Sequence, residues 1–133
     1  MSIQEDILYS AGALAEHYSA GDYIFRKGDI PQYYYQILTG NVKLNSYKQD
    51  KEVVQEILFA HSSVGESMFI LRKPYLMNAV ALSNCTVIKI STEHFLALLH
   101  LHPNIFLDIY SILADASFEN AIMMDSLTNR STK

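Results

Sequence analysis

The sequence predicts a mainly β fold, a sandwich or barrel of short strands, followed by C-terminal helices. From residue 13 to about residue 90, short apolar runs alternate with turn signals, which is typical of an all-β domain. After Ile90 the apolar spacing changes from that of strands to that of helices. Of the 133 residues, 50% are hydrophobic and 18% are charged, a composition that suits one globular domain with one core.

The strands are predicted from the turns that flank them. Gly-Asp pairs at 21–22 and 28–29 bracket the first strand, Tyr23–Phe25. The aromatic run Tyr33–Leu38 leads into a turn at Thr39–Gly40. Later strands are predicted at Asn41–Tyr47, Glu52–Phe59, Asn78–Leu82 and Cys85–Ile90, with Lys48–Lys51 as a hairpin loop.

The strand predicted at Asn41–Tyr47 alternates between apolar and polar residues. Val42 and Leu44 share one face, and Lys43 and Asn45 share the other.

Two helices are predicted after the last strand. Ser91 or Thr92 can cap a short helix, which ends at His102–Pro103, and Pro103 suits the first turn of a longer helix. Along that helix, residues recur at alternating steps of three and four, as in a heptad seam. The seam is Phe106, Ile109, Leu113, Ala116, Asn120, Met123 and Leu127. The spacing fits both a helix packed on its own sheet and a helix paired with that of a second subunit, with Asn120 fixing the register.

Five segments together resemble the cyclic-nucleotide-binding domain of the catabolite-activator/FNR (CRP/FNR) family of transcription regulators. They are Gly21–Asp29, Tyr35–Leu44, Gly65–Glu66, Ala79–Leu82 and Val87–Ile90. The resemblance runs from about residue 13 to residue 125, and it depends on the order and spacing of the segments.

This resemblance implies a double-stranded β-helix (jelly roll). Residues 1–102 would form the ligand-sensing domain with its short helix, and residues 103–133 a long dimerisation helix and tail. A homodimer is implied, with a small-molecule effector such as cyclic AMP or cyclic GMP and no other cofactor. Family members usually continue into a helix-turn-helix, and this sequence ends soon after the seam. DNA contacts are therefore expected only through a domain absent from this chain.

The resemblance places a phosphate-binding cassette at Gly65–Glu66, with Ser67–Ile70 as its short helix. Free backbone N–H groups and the dipole at a helix N-terminus attract a cyclic phosphate, which is a monoanion. Gly65 would allow close approach, and the resemblance implies that Glu66 accepts hydrogen bonds from a ribose hydroxyl. The candidate ligand-binding residues are Gly65, Glu66, Ser67, Met68, Tyr75, Leu76, Met77, Asn78 and Asn120.

The cassette lacks the arginine that the resemblance implies beside the phosphate. That position falls on Tyr75, or on Leu76 if one residue is inserted. Arg72 and Lys73 could replace it only if their loop folded inward. Losing a charged phosphate contact removes about 1.5–3 kcal/mol of binding free energy. The sequence therefore predicts a degenerate cassette with a weakly bound or altered ligand.

Two alternatives remain at this stage. A ligand-free dimerisation module would keep the fold and lose the pocket. A cupin-like metalloenzyme would need metal ligands, and His100 and His102 have the spacing of a strand pair but lie in a helical run before Pro103. No hydrolase motif is present, and one cysteine, Cys85, can hold neither an internal disulfide nor an iron–sulfur cluster. We expect no catalytic residues, no metal site and no enzymatic activity.

Charge and hydropathy exclude other classes of partner. The formal net charge is −4, and no basic stripe suggests nucleic-acid binding by this chain alone. No apolar run approaches the ~20 residues that span a bilayer. With an acidic, non-hydrophobic N-terminus and a single cysteine, the sequence predicts a cytoplasmic protein without membrane contact.

Overall fold

The computed structural model describes residues 1–115, and its strands form two four-stranded antiparallel sheets. The helices are α1 (Glu5–Ser10), α2 (Glu66–Leu71), α3 (Thr92–Leu101) and α4, which spans 105 to 115 at the end of the described part. The strands are β1 (Leu14–Tyr18), β2 (Tyr23–Phe25), β3 (Tyr33–Thr39), β4 (Val42–Lys48), β5 (Lys51–Leu58), β6 (Ser63–Val64), β7 (Asn78–Ala81) and β8 (Cys85–Ser91). The strand orders are β1-β8-β3-β6 and β2-β7-β4-β5.

The first sheet has one layer of the core on each of its two faces. Strand β3 contributes side chains to both layers, because successive side chains of a strand point to opposite faces. Tyr35 and Ile37 pack between the two sheets, whereas Tyr34 packs on the other face, with Phe69 of α2 and Phe95 of α3. Burying each large apolar side chain contributes about 1.5–3 kcal/mol. The predicted jelly roll with C-terminal helices is therefore confirmed.

Three elements were not predicted: α1, β1 and β6. Strand β1 pairs with β8 at the edge of the first sheet. Helix α1 and strand β6 depend on the chain near residue 3, where Gln36 of β3 bonds the backbone of Ile3. The amide nitrogen of Gln36 donates to the Ile3 carbonyl (2.7 Å), and its amide oxygen accepts from the Ile3 N–H (2.9 Å). Leu8 of α1 is fully buried in the helix-side core. These contacts are long-range, so local patterns could not reveal them.

Asn45, on the polar face of the alternating strand β4, is buried. Its side chain is 0% exposed, because it is surrounded by polar partners on the outer face of the second sheet. Its amide nitrogen donates to the Glu52 carboxylate (2.6 Å), and its amide oxygen accepts from the Asn78 amide (3.0 Å). Lys43 completes the group with an ion pair to Glu52 (2.7 Å). Satisfied hydrogen bonds permit this burial.

The C-terminal helices begin close to the predicted residues. Ser91 caps α3, since its hydroxyl accepts from the backbone N–H of His94. Helix α4 begins at residue 105, so Pro103 lies in the preceding turn rather than in the first turn of the helix, and its carbonyl accepts from the Phe106 N–H (3.0 Å). Of the predicted seam, Phe106 is exposed, Ile109 and Leu113 are partly buried, and Ala116, Asn120, Met123 and Leu127 lie outside the described residues.

Within the described part of the chain, no helix is long and apolar enough to cross a membrane.

Candidate functional site

A cavity of about 400 Å³ opens between helix α2, the loop that follows it, and strands β4 and β5. It brings together most of the predicted ligand-binding residues: Gly65, Glu66, Ser67, Met68, Tyr75, Leu76 and Met77. A volume of this size suits a small organic molecule.

Seven further residues complete the cavity, most of them from distant parts of the chain, and none of them was predicted from the sequence. They are Met1, Phe25, Leu44, Glu56, Leu58, Ser62 and Ser63. Glu56 could not be found from a regular hairpin register, which would place Gln55 opposite Leu44. A bulge between Leu44 and Asn45 shifts the pairing by one residue and brings Glu56 opposite Leu44, which is buried between the sheets.

Gly65 forms the turn into helix α2, and only glycine fits there. Its φ is +70°, in the left-handed region. A Cβ at this position would lie 2.8 Å from Phe25 Cζ and 2.8 Å from Tyr75 Cε1. The backbone of this turn therefore packs directly against two aromatic rings.

Tyr75 fills the part of the cavity beside Gly65. Its side chain is 4% exposed, and its ring stacks on Phe25 with centroids 3.5 Å apart and planes 5° apart. Two backbone hydrogen bonds hold the residue: its N–H donates to the Asp29 carbonyl (3.0 Å), and its carbonyl accepts from the Gly28 N–H (2.8 Å). Burial raises the pKa of the Tyr75 hydroxyl, which keeps it uncharged. A neutral ring thus occupies the place where the resemblance implies a cation.

The neighbouring basic residues lie away from the cavity. Arg72 and Lys73 are exposed, and neither lines it. Their loop therefore does not fold inward, so these two side chains do not take the place of the missing arginine. Leu76 is 65% exposed and lies at the rim. Within residues 1–115, the cavity has no arginine, lysine or histidine in its lining.

One predicted ligand-binding residue within residues 1–115, Asn78, does not line this cavity. The side chain of Asn78 bonds away from it, donating to Asn45 (3.0 Å) and accepting from the backbone N–H of Lys27 (2.8 Å). It joins the loop after β2 to strand β4 and so positions the sheet behind the site. Asn120 lies outside the described residues.

The polar groups of the cavity are carboxylates, hydroxyls and backbone N–H groups. Glu66 is partly buried in the first turn of α2, and Glu56 is exposed on β5. The first N–H groups of a helix have no partner within it, and here they lie at the cavity edge. Tyr75 Oη is buried without a hydrogen-bond partner among the described residues. These groups can bind and orient a small molecule.

No metal site emerges in residues 1–115, where no three His, Cys, Asp or Glu side chains are grouped to hold an ion. His100 and His102 lie in and just after helix α3 rather than on a strand. This placement removes the strand spacing on which the cupin-like alternative depended.

Comparison with known proteins gives a family match. Residues 15–102, about two thirds of the chain, match the family described as the cyclic nucleotide-binding domain. A search of curated proteins finds no match.

Solved structures share the fold. The catabolite activator protein of Thermus thermophilus superposes with a TM-score of 0.76 and 26% identity, over 92% of this chain and 58% of that one. The present chain thus spans less than two thirds of that protein. A cyclic nucleotide-binding-like protein from Brucella abortus has a TM-score of 0.62 and 29% identity, over 70% and 80% of the two chains. The sensor domain of the transcriptional regulator DNR from Pseudomonas aeruginosa has a TM-score of 0.72 and 20% identity, over 86% and 77%.

Proposed function

The chain belongs to the cyclic nucleotide-binding domain family, and we propose that it is the effector-sensing domain of a CRP/FNR-type transcription regulator. In this proposal its phosphate-binding cassette is degenerate, and its effector is a small molecule other than a tightly bound cyclic nucleotide. The observation that carries the proposal is the stack of Tyr75 on Phe25 against Gly65. The proposed role is sensory rather than catalytic.

The charges around the cavity support weak binding of cyclic AMP or cyclic GMP. A cyclic phosphate carries one negative charge, and the lining offers it the carboxylates of Glu56 and Glu66 and no cationic side chain from residues 1–115. The free N–H groups of α2 remain as donors, but a neutral hydrogen bond contributes only about 0.5–1.5 kcal/mol, less than a charged one. Tyr75 also occupies space next to the turn.

Calorimetry with cyclic AMP and cyclic GMP tests this proposal. We expect a Kd of roughly 100 μM or weaker, the result of subtracting one charged contact from a good site. Glu66→Ala should remove the preference for a ribose over a 2′-deoxyribose ring, because Glu66 is the carboxylate beside the turn. A sub-micromolar Kd for either nucleotide would contradict the proposal and mean that a group beyond residue 115 or a second subunit supplies the missing charge.

We also propose that α4 pairs with the same helix of a second subunit. Its outer side exposes Phe106, Leu107 and Tyr110, an apolar strip that the described residues leave uncovered. The opposite side of the helix faces its own domain. Ile105 is buried there in the core, and Ile109 and Leu113 are partly buried. Within residues 1–115 the predicted seam therefore divides between the two uses: Phe106 belongs to the exposed side proposed for the partner, and Ile109 packs on its own domain.

Sedimentation velocity should find a dimer at about 10 μM, because specific interfaces are well populated at that concentration. The double variant Phe106→Glu and Tyr110→Glu should sediment as a folded monomer with the circular dichroism spectrum of the wild-type chain, because both residues are exposed in the single subunit. Leu101→Glu is the control, since this exposed leucine lies on α3. A monomeric wild-type chain, or a double variant that stays dimeric, would contradict the pairing.

The runner-up is a ligand-free dimerisation module of the same fold. Its support is that Tyr75 and Phe25 already fill the niche beside the cassette turn. It predicts a stable dimer that gives no binding heat with any small molecule.

A further inference from the structure

The uneven charge of the cavity points to the kind of effector it accepts. Glu56 and Glu66 contribute two carboxylates, and the α-amino group of Met1 is the one cation carried by a lining residue within the described chain. The excess charge is therefore negative. Resting on the effector role proposed above, we propose that this cavity selects a small organic cation with a flat apolar body, such as an aromatic amine, over an anion.

The apolar walls favour the flat body. Leu44, Leu58, Met68 and Met77 line the cavity together with the Tyr75–Phe25 stack. Methionine side chains are polarizable and adapt to the edge and face of aromatic rings. Aromatic pairs also gain free energy beyond the burial of their area. A ring system placed between the methionines and the strand leucines would cover apolar surface that the described residues leave open.

A buried polar atom indicates that the cavity suits a ligand with hydrogen-bonding groups. Tyr75 lines the cavity and is 4% exposed, and its hydroxyl oxygen has no partner among residues 1–115. Leaving such a group unpaired is unfavourable, so an occupant that pairs with it gains affinity. An ammonium group bonds carboxylates, and ring N–H groups bond hydroxyls, which suits a heteroaromatic amine.

The acidic side chains act on the ligand through charge at different depths. Glu66 is partly buried beside the turn, so its interaction with a cation is screened less than that of the exposed Glu56. Helix α2 has only six residues, and Glu66 itself lies in its first turn. The carboxylate thus lies next to the N–H groups that would otherwise attract an anion.

Three indoles of nearly equal size and different charge test the inference by calorimetry on the full chain. Tryptamine carries +1, tryptophol is neutral and indole-3-acetate carries −1, so the ring and its apolar contacts stay constant. We expect tryptamine to bind about tenfold more tightly than tryptophol. This difference corresponds to the lower end of the free energy of a charge-assisted contact, because Glu56 is exposed to solvent. Indole-3-acetate should bind more weakly still, and raising the salt concentration should narrow the differences.

Carboxamide variants identify the residues responsible. The double variant Glu56→Gln and Glu66→Gln should lose the preference for tryptamine while binding tryptophol as before. Glu93→Gln, on the exposed side of α3 away from the cavity, should keep the preference and serves as the matched control. A preference that survives the double variant, or an anion bound as tightly as the amine, overturns the inference.

The same titrations separate this inference from the proposed function. If cyclic AMP binds in the expected weak range and no indole binds, selection for cations is wrong and the effector role stands. If tryptophol and tryptamine bind equally, the cavity accepts ligands by shape alone and the inference is likewise wrong. If every indole and both nucleotides give no heat, the inference fails together with the effector role, in favour of the ligand-free module.

Discussion

Replacing Tyr75 with arginine should raise the affinity of this chain for cyclic AMP by about ten- to a hundredfold, the gain from one charge-assisted contact. The backbone of residue 75 is held by hydrogen bonds to Gly28 and Asp29 and directs its side chain toward the turn at Gly65. A guanidinium placed there would be within the niche that the resemblance assigns to the phosphate, with the Phe25 ring as a flat surface beside it. Titration calorimetry measures the change.

Two control variants separate the charge from the space that the tyrosine occupies. Tyr75→Leu removes the aromatic stack and adds no cation, so it should change the affinity for cyclic AMP by much less than Tyr75→Arg. Leu76→Arg adds the same cation one residue later, at an exposed side chain on the rim, and should give little. If Leu76→Arg is the stronger binder, the insertion-containing alignment of the cassette is the correct one. A folded Tyr75→Arg chain with unchanged affinity contradicts the prediction.

The positive charge added by Tyr75→Arg should also change the proposed preference of the cavity for cations. An arginine at residue 75 would balance the carboxylate of Glu66, so the same substitution that strengthens cyclic AMP binding should weaken tryptamine binding. Opposite responses of the two ligands to one variant would locate both in one cavity.

Local patterns predicted those parts of the fold that short-range physics determines. The helical spacing after Pro103, the Ser91 cap and the turn at Gly40 are predicted from neighbouring residues alone, and the structure has a helix, a cap and a turn at these places. The turn at Gly65 is implied by the resemblance rather than by a local pattern. The strand bounds differ by a residue or two. In the predicted hairpin loop Lys48–Lys51, Lys48 and Lys51 pair with each other, so the loop is shorter than predicted.

Long-range contacts account for what the sequence could not predict. Helix α1 has six residues and no side-chain cap, so its position depends on Leu8 and on the pairing of Ile3 with Gln36, which is 33 residues away. The orientation of Tyr75 and Leu76 follows from backbone bonds to the loop after β2. Sequence alone left those two positions equivalent for the missing arginine. The contribution of Glu56 to the cavity follows from the β4–β5 register, which shifts between Leu44 and Asn45.

The largest loss of stability is expected for Gly40→Ala. Gly40 has a φ of +87°, and a Cβ there would lie 2.5 Å from Cys85 Cβ and 2.6 Å from the Asn84 carbonyl oxygen. Neither neighbour can move freely, because the turn is tied to the β7–β8 connection by the bond from the Leu82 N–H to the Asn41 carbonyl (2.9 Å). Strain at positive φ costs about 1–2 kcal/mol, and overpacking a filled site costs about 1–3 kcal/mol. We therefore expect a loss of about 3 kcal/mol or complete unfolding, measured by urea denaturation.

Gly28→Ala is the matched control for the same measurement. Gly28 has a nearly equal φ of +92°, but an added Cβ would meet nothing within 4 Å. Its variant should therefore lose only the conformational part, about 1–2 kcal/mol. The difference between the two variants measures the contact between the β3–β4 and β7–β8 turns, which closes one end of the sheet pair. Equal losses for Gly40→Ala and Gly28→Ala would show that the turns can separate without cost and that this contact does not hold the sheets together.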